Sequence, residues 1–246
     1  MSNQAVVPLP VGPPLKPVAS PGRESNLRLA LRGFYRLAIM GAFCLWGALS
    51  GWWQLWPLLI MLIVVSSINL LVILVWNPSL LHQRLKAVRP VKRWDNVLVG
   101  VSQLFLAALV IVAWADVHHF HSALVPSWGL ILGAGLLLVG DAICAWCMAK
   151  NPFLDRNVKV QPELGHYVIA TGPYCFVRHP MYAGIIIATT GITLMLGSFL
   201  ALIPALAVSA AIVMRTYYED RTLDQELDGY RGYMARTRYR LLPWVW

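Results

Sequence analysis

The fold is decided by an uncharged apolar run, LWPLLIMLIVVSSINLLVILVW, which extends from Leu55 to Trp76. As a helix, this run is about 33 Å long at 1.5 Å per residue, enough to cross the hydrocarbon core of a bilayer. Two similar runs lie at Val97–Ala115 and Trp128–Met148, and a weaker one lies at Leu31–Leu49. We therefore predict four transmembrane helices in an all-α integral membrane protein.

The composition agrees with a membrane protein. Hydrophobic residues make up 58% of the chain and charged residues only 13%, whereas about a quarter of a soluble domain is charged. The net charge of +9 does not indicate nucleic acid, because the basic residues cluster in the short segments that flank the apolar runs. The positive-inside rule accounts for that distribution.

A fifth apolar region, Ala183–Met214, is too long for one transmembrane helix, since it would extend for about 48 Å. The pair Gly197-Ser198 divides it into two arms that are each marginal for crossing a bilayer. We predict a helical hairpin over residues 183–214 with both ends on the same side of the membrane. The full architecture is then about six membrane helices, four spans plus this hairpin.

The distribution of basic residues orients the helices. Lys and Arg occur before the first run, between the second and third, after the fourth and after the hairpin. The connections Gly51–Gln54 and Asp116–Pro126 contain neither. The positive-inside rule then predicts that both termini are cytosolic. We expect a multi-pass protein of a bacterial inner membrane.

Three regions follow from this arrangement. Residues 1–28 are rich in proline and are predicted to be a disordered tail. Residues 29–149 hold the four spans. Residues 150–246 form the region that carries chemistry, with the basic and aromatic segment after residue 230 as a cytosolic cap at the membrane surface.

No metal site is expected. Cys144 and Cys147 form a C-x-x-C pair, but both lie within one apolar helix and no second pair exists. His118, His119 and His121 lie close together in the predicted non-cytosolic loop, far from the other polar residues. We expect these to be incidental or interfacial histidines.

Polar and aromatic residues are concentrated in HYVIATGPYCFVRHPMYAG, from His166 to Gly184, and after the hairpin in RTYYED, from Arg215 to Asp220. A membrane chain keeps such groups together where it holds something polar. Gly172 precedes a proline, which predicts a turn with a close backbone approach. Pro180 is suited to the first turn of the next helix.

These two segments resemble the isoprenylcysteine carboxyl methyltransferase and phospholipid methyltransferase families. The resemblance covers the chain from about Gln161 onward. It rests on an upstream His, a Gly-x-Tyr, an Arg-His-Pro-x-Tyr-x-Gly motif and a later acidic pair. In this sequence these are His166, Gly172, Tyr174, Arg178, His179, Pro180, Tyr182, Gly184, Glu219 and Asp220. Asp220 stands where these families often have a second glutamate. The resemblance implies a prokaryotic-type integral membrane methyltransferase that uses S-adenosyl-L-methionine.

The candidate site follows from the resemblance and from what the cofactor needs, which is hydrogen-bond partners for adenine, an acid for the ribose or ammonium, and a donor for the carboxylate. The expected cofactor-binding residues are Gln161, His166, Tyr167, Val168, Ile169, Gly172, Tyr174, Arg178, His179, Pro180, Met181, Tyr182 and Glu219. Arg215 is expected to bind the methyl acceptor and, with Glu219, to be catalytic.

Several of these residues have simpler explanations. Arg215 and Glu219 are four residues apart and could form a surface ion pair on a helix. Arg178 could be only a cytosolic anchor, and Tyr174 and Tyr182 could be interfacial belt residues.

Asp141 lies within the fourth apolar run, where a carboxylate is energetically costly. It either lines the acceptor site or bonds to Asn69 or Gln103 on a neighbouring helix.

The acceptor is expected to be lipophilic and to approach from the bilayer. A carboxylate, as in the isoprenylcysteine branch, is already nucleophilic at neutral pH. An amine, as in the phospholipid branch, would need a base, for which Glu219 or Asp141 are the candidates. The absence of a dedicated base favours an acid such as an isoprenylcysteine. The alternatives are an amine or phospholipid N-methyltransferase and a membrane NADPH-dependent sterol-type reductase.

Overall fold

The structure is a computed structural model that describes residues 41–43, 45–78, 80, 92–122, 124–155 and 157–246. Over these residues the protein consists of helices joined by loops. The predicted tail at 1–28 and most of the predicted helix Leu31–Leu49 lie outside the described residues. Most of the basic link between the second and third apolar runs lies outside them as well.

Six α-helices are bounded in the described part of the chain: α1 (Leu55–Trp76), α2 (Arg93–Ala115), α3 (Ser127–Lys150), α4 (Pro180–Met195), α5 (Leu202–Glu226) and α6 (Tyr230–Arg236). A π-helix, Asp116–Phe120, continues α2, and two short 3₁₀-helices, Pro162–Leu164 and Gly172–Cys175, interrupt the loop between α3 and α4. Residues 45–50 are also helical.

Three of these helices are long and apolar enough to cross a membrane: Leu55–Trp76, Arg93–Phe120 and Ser127–Lys150. Their outer faces expose large aliphatic side chains, among them Ile60, Leu104 and Ile131. Side chains of this kind are suited to contact with lipid rather than water. The all-α membrane class is therefore confirmed, whereas the count of six membrane helices remains a prediction.

The last long apolar region is broken into two helices at the predicted position. Helices α4 and α5 are separated by residues 196–201, and Gly197 has φ of +91°. Any Cβ at Gly197 would lie 3.2 Å from Nε2 of Gln54, so both the backbone conformation and the space favour glycine. Helix α5 continues to Glu226, twelve residues beyond the predicted end at Met214.

Helices α3 and α4 pack through four glycines. A Cβ on Gly140 would lie 2.5 Å from the carbonyl oxygen of Gly184, and one on Gly191 would lie 2.6 Å from that of Gly133. Glycine at these positions lets the two backbones touch, as is common between membrane helices. Helix α4 begins at Pro180, the last residue of the Arg-His-Pro motif. The glycine packing therefore sets the position of the helix that starts within this motif.

The C-terminal segment closes over the start of α4. The backbone N–H groups of Arg178 and His179 donate to the carbonyl oxygens of Tyr239 and Arg240, at 2.9 Å each. Tyr230 and Tyr233 of α6 are buried, only 3% and 2% exposed. The sequence interpretation of this segment as a surface cap is therefore incomplete, since part of it belongs to the protein interior.

Candidate active site

A cavity of about 270 Å³ lies between the α3–α4 loop, the start of α4, α5 and α6. That volume is just below the range of about 300–1,000 Å³ that is typical of small-molecule sites. Eleven of the predicted site residues line it, together with the expected acceptor residue: His166, Tyr167, Val168, Ile169, Tyr174, Arg178, His179, Pro180, Met181, Tyr182 and Glu219, with Arg215. The two polar segments, separated in sequence by the hairpin, thus meet at one cavity.

Three predicted residues are not on the cavity wall. Gln161 is buried, and its side-chain amide donates to the carbonyl of Phe153 at 2.8 Å. Gly172 has φ of +63°, and a Cβ there would lie 2.8 Å from Cγ of Lys150, so its role is in the turn. Asp141 instead accepts a hydrogen bond from Asn69 at 2.7 Å, which is one of the structural bonds expected from the sequence.

His166 is held in one orientation by its neighbours. Its Nδ1 accepts a hydrogen bond from the backbone N–H of Gln161 at 3.3 Å, and its ring stacks on Phe153 with centroids 4.3 Å apart. Burial lowers the pKa of this imidazole to about 4, because desolvation disfavours the charged form. At neutral pH the ring is therefore uncharged, and Nε2 carries the proton as a hydrogen-bond donor.

The backbone beside His166 also has hydrogen-bonding capacity. Within the described residues, the peptide groups of Tyr167, Val168 and Ile169 make no hydrogen bonds to other backbone groups. Peptide groups left unpaired beside a cavity need another partner. This short loop strip can therefore pair with the edge of a planar polar ring.

Helix α5 presents Arg215 and Glu219 to the cavity from successive turns. Glu219 accepts a hydrogen bond from the hydroxyl of Tyr182, and the guanidinium of Arg215 lies 5.4 Å from the centre of the Tyr182 ring. The side chain of Arg215 is only 15% exposed and donates from Nε to Asp95 at 2.7 Å. The interpretation of Arg215 as part of a solvated surface pair is therefore wrong.

Arg178 is buried in a dense ionic cluster. Its Nε and Nη2 donate to the two carboxylate oxygens of Asp220 at 2.8 Å each, a bidentate pair. Its Nη1 donates to the carbonyl oxygens of Thr237 and Arg238 at 2.8 and 2.7 Å. A role as only a cytosolic anchor is therefore wrong for Arg178, which joins three parts of the fold at the cavity wall.

Asp220 was not among the predicted site residues, yet it is the centre of this cluster. Besides Arg178 it contacts Nε2 of His179 at 3.2 Å, the hydroxyl of Tyr230 at 2.9 Å and Nε of Arg240 at 2.9 Å. Desolvation opposes ionisation of Asp220, but hydrogen bonds and charges from His179 and Arg178 outweigh it and hold the pKa of this carboxyl far below its usual range. The one sequence signal was its place in the acidic pair after Glu219.

Asp95 was also missed. It lies in the first turn of α2, is fully buried, and accepts hydrogen bonds from Arg215, from Nδ2 of Asn157 at 3.1 Å and from the backbone N–H of Val158 at 2.9 Å. Its signal was weak but present, since it is the only acidic residue between positions 77 and 115. Sequence alone did not show which distant residue it approaches.

The remaining cavity residues come mainly from the loop that follows α3 and from α6. Tyr174, one of the predicted residues, has a buried hydroxyl that accepts from Nδ2 of Asn151 at 3.1 Å, and burial raises its pKa. The lining residues that sequence reasoning did not identify are Asn151, Phe153, Leu154, Asp155, Asn157, Val158, Lys159, Ile185, Leu223, Leu227, Tyr230 and Tyr233. Most are ordinary apolar or loop residues, whose position depends on tertiary packing.

Comparison with known proteins agrees with the motif. Residues 133–225 match the isoprenylcysteine carboxyl methyltransferase (ICMT) family, a region that includes most of α3, the loop, α4 and nearly all of α5. It begins earlier than the motif suggested, and it excludes α1, α2, α6 and the C-terminal segment. No curated protein matches the chain. Among the described residues three helices are able to cross a bilayer, and the chain is a membrane protein whose residues 133–225 match the isoprenylcysteine carboxyl methyltransferase family.

Proposed function

We propose that this protein is an integral membrane methyltransferase that transfers a methyl group from S-adenosylmethionine to a lipophilic carboxylic acid. The observation that carries the proposal is the meeting of His166, Glu219 and Arg215 at one cavity, although 53 residues separate the first from the second. The family match supports a methyltransferase in general. The donor and the acceptor class are our inference from the residues.

The residues fit the proposed donor. The unpaired backbone strip at Tyr167–Ile169 and the Nε2–H donor of His166 are suited to the edge of an adenine ring. The carboxylate of Glu219, oriented by Tyr182, is suited to a ribose diol or an ammonium group. Apolar side chains such as Ile185 and Leu223 complete the wall and exclude water.

Bound in this cavity, S-adenosylmethionine would supply an electrophilic methyl group on a sulfonium. The task of the protein is then to align the acceptor and to keep water out. Arg215 is the cation of the cavity wall that stands next to Glu219 and Tyr182, and we assign it to the acceptor carboxylate. A carboxylate needs no base, so alignment by a guanidinium is sufficient.

The structure reduces the support for an amine acceptor. Such an acceptor would need a group to remove its proton, and Asp141, one of the two candidates, bonds to Asn69 and does not line the cavity. Of these two candidates only Glu219 lines the cavity, and it would have to serve both the donor and the proton. We therefore favour an acid.

The test is tritiated methyl transfer from labelled S-adenosylmethionine into a total lipid extract by the detergent-purified protein. We expect a labelled lipid whose tritium is released as volatile methanol by mild base, as a methyl ester requires. Label that resists base would indicate N-methylation and contradict the acid acceptor. An Arg215→Ala variant, with the donor still bound, should lose the ester product.

A further inference from the structure

We propose that Asp95 is a positioning residue for the methyl acceptor, because it holds the Arg215 guanidinium in place at the cavity wall. This inference rests on the proposed role of Arg215 and adds a residue that lies outside the family match, which starts at position 133. The N-terminal half of the chain would then contribute to the site as well as spanning the membrane.

The geometry at Asp95 is that of a fixed support. Its two carboxylate oxygens divide their partners: Oδ1 accepts from Arg215, and Oδ2 accepts from Asn157 and from the backbone of Val158. Three separate elements, α2, α5 and the loop after α3, thus meet at one fully buried carboxylate. A side chain with this many partners cannot turn toward a ligand without breaking them.

Asp95 acts from behind the wall. Arg215, Asn157 and Val158 all line the cavity, whereas Asp95 does not. It therefore has no contact of its own with a ligand in the cavity, and any effect on the reaction must pass through these neighbours. For this reason Asp95 is a positioning residue and not a catalytic one.

The hydrogen bond at Nε also determines how Arg215 can meet a carboxylate. A guanidinium binds carboxylates side-on, through Nε and one terminal nitrogen, or end-on, through both terminal nitrogens. With Nε donating to Asp95 at 2.7 Å, the side-on geometry is closed to the acceptor. The same contact keeps the guanidinium beside the Tyr182 ring, near Glu219.

A buried charge also needs a counter-charge. Arg215 is mostly buried, and an arginine in that position is costly unless it is paired and hydrogen-bonded. Asp95 supplies the opposite charge without occupying the cavity. Replacement by asparagine keeps the shape of the side chain, removes this charge and replaces one accepting oxygen by an NH2 donor.

The experiment is a double-mutant cycle with Asp95→Asn and Arg215→Ala. The readouts are the rate of tritiated methyl transfer into lipid extract and the affinity of the S-adenosylhomocysteine-loaded protein for N-acetyl-S-farnesylcysteine. We expect Asp95→Asn to lower both about 10- to 100-fold, the effect of misplacing an aligned group. In the Arg215→Ala background the same change should cost less than about twofold, because coupled residues are not additive.

Affinity for S-adenosylhomocysteine separates positioning from general damage, and it should change less than about threefold in Asp95→Asn. Asp116→Asn is the matched control, since Asp116 is an equally buried acid at the other end of the same helical segment, bonded to Ser122 and Ser198. It should leave methyl transfer within about twofold of wild type.

Equal losses from Asp95→Asn with and without Arg215 would overturn the proposal, as would loss of S-adenosylhomocysteine binding. If Asp95→Asn does not fold, Asp95→Glu keeps the charge but displaces it, and a rate equal to wild type in that variant would overturn the proposal too. A wild-type protein that does not bind S-adenosylhomocysteine would instead contradict the proposed function.

Discussion

At the scale of single residues, Glu219 is the acid whose charge the proposed donor site needs. We expect Glu219→Gln to weaken the binding of S-adenosylhomocysteine about 10- to 100-fold, because a hydrogen bond to a charged group contributes about 1.5–3 kcal/mol. Glu226→Gln is the matched control on the same helix, since Glu226 pairs with Lys92 at the surface and does not line the cavity. Isothermal titration calorimetry of both variants with S-adenosylhomocysteine tests this prediction. Equal affinities of the two variants would show that Glu219 does not bind the donor.

His166 makes a prediction about pH. Its folded pKa is lowered to about 4 from 6.5, so between these values the unfolded chain binds a proton that the folded protein does not. The free energy of unfolding is therefore not reduced by His166 above pH 6.5. As the pH falls toward 4 it decreases by up to about 3 kcal/mol, because the unfolded chain gains a proton first. The melting temperature of wild type should fall more steeply than that of His166→Gln between pH 7 and pH 4.5. Parallel curves would contradict a neutral, buried imidazole.

At the scale of elements, the glycine contact between α3 and α4 determines where the cavity residues of α4 lie. Gly140→Ala places a Cβ 2.5 Å from a backbone oxygen of α4, and we expect it to destabilise the protein by about 1–3 kcal/mol. Gly135→Ala, on the same helix with nothing within 4 Å, is the control. Thermal unfolding in detergent measures both, and equal melting temperatures would show that the helices do not touch there.

The sequence predicted the elements better than their contacts. Uncharged runs with sharp ends predicted Leu55–Trp76 to the residue, and Gly197-Ser198 marked the break before α5, because hydrophobic length and backbone conformation are local properties. The length of α5 was underestimated because the prediction followed only the apolar residues. The last three turns of this helix carry polar residues, some of which line the cavity. The contacts of Asp95 with Asn157 and of Asp220 with Arg178 span 62 and 42 positions, and they depend on helix packing that no local pattern encodes.

At the scale of the whole molecule, Asp220 joins the motif to the end of the chain through Arg178, His179, Tyr230 and Arg240. Asp220→Asn leaves the buried Arg178 without its counter-charge, which costs about 3–5 kcal/mol. We expect faster hydrogen exchange in residues 237–246 and weaker binding of S-adenosylhomocysteine. Asp224→Asn, which breaks only an exposed pair with Arg231, should change neither. Unaltered exchange in Asp220→Asn would show that the C-terminal segment is held by other contacts.

The central claim is that the cavity between α4, α5 and the preceding loop binds a methyl donor. The most direct measurement is calorimetric titration of the detergent-purified protein with S-adenosylhomocysteine and, separately, with NADPH. The account predicts saturable binding of S-adenosylhomocysteine that Glu219→Gln weakens, and no binding of NADPH. Binding of NADPH without binding of S-adenosylhomocysteine would contradict it.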